Sequence, residues 1–141
     1  MDNVTMQTRN LSFLLSEVSG RISRATATIP SGTGIVGAGT VIGELTATSG
    51  HFVPSPNAVV VGVEGAETAT AILAYSVDAT SADVDVTIID RDAEAKILML
   101  TYEASVDDDV KIAAKVAQLN AVGIRALREK RLCGKNFRLL R

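Results

Sequence analysis

The residues that could do chemistry in this chain fall into a few small groups. Asp107, Asp108 and Asp109 offer three consecutive carboxylates. A calcium loop takes its oxygens from alternate residues and closes with a glutamate, which this run lacks. Standing just before a segment of helical period, the three are expected to cap a helix and meet the positive end of its dipole. Asp90, Asp92 and Glu94 surround Arg91 and could be taken for the carboxylate pair of a glycosidase. With aromatics at 4% and no Trp to stack a sugar, a solvated loop with local pairing to Arg91 is the expectation. His51 lies in a polar turn with no Ser or Cys motif beside it, so a surface side chain is expected. One His and one Cys, Cys133, leave no basis for an internal disulfide or a Cys/His metal centre.

Glycines give the sharpest motif. In "GTGIVGAGTVIGEL", Gly37, Gly39 and Gly43 are spaced like a dinucleotide-binding turn, and Glu64 follows near the distance of a ribose contact. Such a turn must open a helix whose N-terminus faces the phosphates. Here "ELTATSGHFVP" follows, rich in Thr, Ser, Gly and Pro, and it alternates like a strand that turns at "TSG" into "HFV". No strand is expected before the glycines either, since only Ile35 and Val36 separate Gly34 from Gly37. They read as turn and bulge glycines, and no cofactor, metal or catalytic residue is assigned.

The last chemical feature is charge. Residues 125–141, "RALREKRLCGKNFRLLR", hold seven basic residues against one acid, while the other 124 residues hold seven against fifteen. An acidic domain therefore carries a basic tail. Leu127, Leu132, Phe137, Leu139 and Leu140 interleave with its cations. Three readings stand: a frayed end, a docking segment for an acidic protein surface, or a phosphate-binding tail.

The elements that would position these groups are mostly strands. The 141 residues suffice for one domain, and a 47% hydrophobic content dominated by Val, Ile, Leu and Ala can fill a core. Residues 1 to about 12 are polar and without period, as a flexible arm would be. Ile22, Ala25, Ala27 and Ile29 are spaced for an extended segment, broken by Pro30. "AVVVGV", "TATAILAYSV", "VDVTIID" and "AKILMLTY" all have strand length and composition. One helix is expected within 107–124, with Ile112, Val116 and Leu119 on one stripe, widened by Ala113 and Ala117. Gly123 should end it, with Ile124 folding back on Leu119. No apolar run approaches a membrane span, and the first residues show no signal-peptide pattern, so a soluble protein made in the cytoplasm is expected.

Five pieces in order, "FLLSEVSGRISR", "AGTVIGELTATSGHFVP", "AILAYSVDATSADV", "RDAE" and "KVAQLNAVGI", resemble the lambda-type head decoration proteins of tailed phages over about residues 13–124. Phe13 to Glu17 match the family's arm segment; Gly39, Gly43 and Asp78 match its turn positions. The resemblance implies a mainly β, β-clip-like or partly open barrel domain with one short helix near its C-terminus and an extended N-terminal arm. The implied division is an arm over 1–29, a β-rich domain over 30–124 and a tail over 125–141. The implied function is a virion protein, homotrimeric at local threefold positions on the outer capsid surface, made in the host cytoplasm. It would bind the major capsid protein and stabilise the expanded head against packed DNA. The capsid-binding arm would comprise Phe13, Leu14, Leu15, Ser16 and Glu17. No nucleic acid, membrane or cofactor is implied, because such a protein faces away from the genome and works by binding. The family commonly stops near "VGI", so the tail's role does not follow from it; Leu132, Phe137, Arg138 and Leu140 are its candidate subunit-docking residues. The rival is a free-standing β-domain that binds a small ligand or glycan.

Overall fold

Alternating side chains in the central strands build a wall with a core on each side. A computed structural model of the chain describes residues 9–19 and 21–128. In β4 (Val41–Glu44), Val41 faces one cluster and Ile42 the other; in β6 (Ala71–Leu73), Ile72 opposes Ala71 and Leu73. In β8 (Val84–Ile89), Val86 and Ile88 join the second cluster and Ile89 the first. This is the period-2 geometry of a strand buried on both faces.

The five-stranded sheet has the order β2-β8-β6-β4-β5, with β2 (Arg24–Ile29) and β5 (Phe52–Pro54) at its edges, and every pair is antiparallel. It curls until those edges touch at one bridge, Thr28 to His51, where Thr28 N–H donates to the Gly50 carbonyl at 2.9 Å. The barrel is therefore partly open. Ile29, Val36, Ile42, Phe52, Leu73 and Ile88 are among the residues that fill its interior. A two-stranded ribbon, β3 (Gly34–Val36) with β7 (Val77–Ala79), adds Val36 and Ala79 to the same core.

The second core lies between the outer face of that wall and a three-stranded sheet, β1-β9-β10. Here β1 (Leu14–Glu17) is antiparallel and β10 (Ile124–Leu127) parallel to β9 (Ala93–Lys96). Parallel neighbours need a crossover, and α1 (Asp109–Ala121), the single α-helix among the described residues, supplies it. Asp108 caps the helix by accepting from Lys111 N–H at 2.8 Å, and Gly123, at φ +89°, turns the chain into β10. Ile124 then packs with Leu119 in the core, as the sequence predicts.

Several segments depart from expectation. "AVVVGV" is an exposed loop and not a strand: Gly62 (φ +92°) and Gly65 (φ +95°) take left-handed conformations that break extension, and Pro54 and Pro56 flank its start. "TATAILAYSV" divides into β6 and β7, because residues 74–76 carry the chain from one sheet to the other. "AKILMLTY" leaves β9 for a 3-10 turn, Ile97–Met99, which puts Leu98 78% exposed. In α1, Ala113 and Ala117 are exposed; the buried residues are Lys115 and Leu119. The segment expected as an arm contains β1 and β2, and the first three residues of the expected tail, Arg125 to Leu127, lie in β10.

Candidate functional site

The residues between β5 and β6 form an exposed apolar loop beside a surface hollow. Val59, Val60 and Val61 are 64%, 47% and 93% exposed in consecutive positions. Isolated exposed valines are ordinary, but three in a row beside a largely apolar hollow make this loop a candidate binding surface. The hollow, about 510 Å³, runs between this loop and β5 and is lined by Pro30, Val53, Pro54, Val60 and Val63, among others. Its charged lining residue is Glu103, whose carboxyl is held below its ordinary pKa first by the Ser105 hydroxyl, against the opposing effect of burial.

The loop is apolar at its tip and polar at its neck. Lys115, 2% exposed, extends from α1 and donates three hydrogen bonds there: to Ser55 Oγ at 2.8 Å, the Pro56 carbonyl at 2.6 Å and the Glu67 carbonyl at 2.5 Å. Ser55 Oγ passes a bond on to the Ala66 carbonyl at 2.6 Å, so both ends of the loop meet at one ammonium. Burial pushes the Lys115 pKa down, while the Glu67 and Glu103 carboxylates pull it back up. Gln118 Oε1, one helix turn on, accepts from Ala69 N–H at 2.8 Å.

The returning strand of the neck lies directly on β4. A Cβ at Gly43 would sit 2.3 Å from the Ala66 carbonyl oxygen and 2.6 Å from that of Thr68. Gly43 is thus a close-approach glycine inside a strand, not the turn or bulge glycine of the sequence reading. Gly39 does meet that expectation, at φ +85° with the Met99 carbonyl 3.0 Å from a Cβ position. Gly37 has open space around it.

The second exposed feature is the edge strand β1. Of the five arm residues, Phe13 is fully buried in the first core, and its carbonyl accepts from Lys96 N–H at 2.8 Å. Leu14 packs against the same core, and the Glu17 carboxylate pairs with Arg24, Oε1 to Nη2 at 2.7 Å. That hydrogen bond holds the Glu17 carboxyl below its usual pKa range and raises Arg24. Leu15 and Ser16 face outward, and the β1–β9 register slips between Leu14 and Ser16, which makes Leu15 a bulge. A bulge twists an edge and guards it against indiscriminate pairing. Val18, just beyond, is 67% exposed.

The remaining groups singled out from sequence do structural duties. Asp107 pairs with Lys111 at 2.6 Å while Asp108 caps α1. Arg91 bonds Asp90 through both Nε and Nη2 at 3.2 Å, in a turn that holds Asp92 at φ +46°. Asp78 accepts from the backbone N–H and the hydroxyl of Thr80 in the turn after β7. His51 is half-buried at the barrel seam. Leu132, Phe137, Arg138 and Leu140 lie outside the described residues. Sequence reasoning missed Lys115 and the valine loop. The helix period did place Lys115 one turn before Leu119, on the buried face, but its charge argues for solvent.

The comparisons with known proteins come down to one family. A family model described as bacteriophage lambda head decoration protein D matches residues 3–124. A search of curated proteins gave no match.

Proposed function

From its place in the bacteriophage lambda head decoration protein family, to which the chain belongs, we propose that it is a structural virion protein that cements the outside of a phage capsid. It binds the major capsid protein as a homotrimer at local threefold positions, after the shell expands, and resists the pressure of packed DNA. It works by binding alone, without catalysis or cofactor, and its outer position keeps it from the packaged genome.

The observation that carries this reading is the extent of the family match, which spans both cores, the barrel, α1 and the start of β10. The surface supports it. A cementing protein needs a rigid body and exposed backbone or apolar patches for its neighbours, and β1 and the valine loop offer one of each. The β1 edge suits strand addition, in which main-chain bonds give affinity and alternate side chains give selectivity. Leu15 and Ser16 are the arm residues that face a coat subunit, whereas Phe13 and Glu17 hold the strand on the domain. The rival is a free-standing β-domain that binds a small ligand or glycan; its glycan form gains no support among the described residues, where Phe13 and Phe52 are in the cores and Tyr75 and Tyr102 are half-buried.

The test is attachment of the purified protein to expanded and unexpanded shells. Saturable binding to expanded shells alone, with raised resistance of those shells to heat, is expected. Equal binding to both forms, or to neither, overturns the proposal.

A further inference from the structure

The hollow beside the valine loop has the wrong chemistry to face water and a defined chemistry to receive something. Its walls are mainly prolines, valines and Leu45, with Ser31 and Thr33 on one side, and its charged lining residue is Glu103. Glu64 stands nearby, with Oε1 accepting from the N–H of Gly62, another lining residue. An occupant that fits presents apolar side chains interleaved with cations.

Residues 129–141 of the chain have that composition. Leu132, Phe137, Leu139 and Leu140 alternate with Lys130, Arg131, Lys135, Arg138 and Arg141, against a single acid, Glu129. We propose that this segment of a neighbouring copy seats in the hollow between β5 and the valine loop, and so ties each subunit of the trimer to the next. The inference rests on the homotrimer reading above.

Three considerations support it. The segment leaves the domain after β10, where Leu127 borders a different hollow with Lys96, Leu98 and Met99. That exit and the receiving hollow share no lining residue, so donor and acceptor are unlike surfaces. A contact between unlike surfaces is heterologous, and under threefold rotation it closes into a ring. Thirteen residues span up to about 40 Å when extended, the range within which the neighbour's hollow must lie. Charge and apolar contact divide the work. Screening limits the cations to a range of about 8 Å in physiological salt, so they steer and the leucines and phenylalanine anchor. The Lys115 neck keeps the receiving loop in place.

The chain carries its own probe, because Cys133 is its single thiol and lies in the docking segment. Val60→Cys puts a second thiol in the hollow, and Val110→Cys puts one on the exposed first turn of α1 as a control. Both full-length variants, checked for folding by circular dichroism, are oxidised on expanded capsids and run on denaturing gels without reductant. Wild type sets the background of Cys133–Cys133 dimers. Val60→Cys should give disulfide-linked species up to trimer, severalfold above the Val110→Cys yield. A fast-migrating monomer would mean that the segment binds its own domain, and a ladder no stronger than that of Val110→Cys would mean that it seats elsewhere; either overturns the inference. Imaging of the unoxidised particles reports the trimer separately. Trimers without the Val60 link defeat this contact alone, and no trimers defeat the reading beneath it.

Discussion

The valine loop and the β1 edge, the two surfaces proposed to bind, are held in opposite ways. The loop is apolar at its tip and fixed from inside by a buried cation that both ends of the loop share. The edge is a row of backbone groups with no strand beside it among the described residues, fixed by an aromatic anchor at one end, Phe13, and a mostly buried ion pair at the other, Glu17–Arg24. Rigid apolar surface suits a lasting contact between like subunits. An open edge can take a strand from a different protein, and the bulge at Leu15 restricts which strands fit. The difference shows that one small domain can present two kinds of interface without exposing either core.

If the two regions are held as described, substitutions should separate them. Phe13→Ala should be the most damaging, at about 3–5 kcal/mol, because it empties the centre of the first core and releases β1. Leu15→Ala, on the outward side of the same strand, should leave urea stability almost unchanged while weakening capsid attachment. Equal stability losses in the two variants would break the distinction between anchor and edge.

Gly43→Ala comes next, at roughly 1–3 kcal/mol or more, because its Cβ meets two backbone carbonyls that cannot rotate away. Gly37→Ala, with nothing near its Cβ position, is the matched control and should unfold at almost the wild-type midpoint.

Lys115→Met keeps the bulk of the side chain but leaves the Ser55 Oγ, Pro56 and Glu67 acceptors without their donor. A loss of about 1–3 kcal/mol is expected. The informative readout is local. Amide exchange should speed up over residues 56–67 and stay unchanged in β1. Uniform acceleration would mean that Lys115 supports the whole fold and not the loop.

The smallest effect belongs to Glu17. Its carboxyl titrates lower when folded than when unfolded, so its contribution is complete above the ordinary glutamate range and disappears as pH falls through the folded value. With both partners partly exposed, that contribution is at most about 1 kcal/mol. Glu17→Gln should lower stability at neutral pH by this amount and match wild type in acid. A variant equally destabilised at both pH values would locate its effect in packing.

Much of the frame was legible in the sequence because it rests on local periods. The alternation in β2 and β8, the β4–β5 hairpin and the Asp-capped helix all follow from patterns shorter than the elements themselves. What was not legible depends on distant partners. "AVVVGV" has the composition of a strand, yet its ends are pinned by a helix side chain about fifty residues away, and glycines break its extension. Gly43 looked like turn chemistry because a lone sequence cannot show that Ala66 and Thr68 lie against it. Phe13 looked like arm because its burial depends on β9 and β10, which come much later in the chain. The five residues expected to form an arm thus include the core anchor Phe13, and which way each side chain points divides them.

On the proposed function, β1 and the valine loop are the surfaces that become covered when the protein cements a capsid. Hydrogen exchange measured on the free protein and on decorated expanded shells tests it directly. Slowed exchange concentrated in residues 14–18 and 59–63, with the barrel strands unchanged, is the predicted result. Exchange in both segments as fast on the shell as in solution, with protection appearing elsewhere, would contradict it.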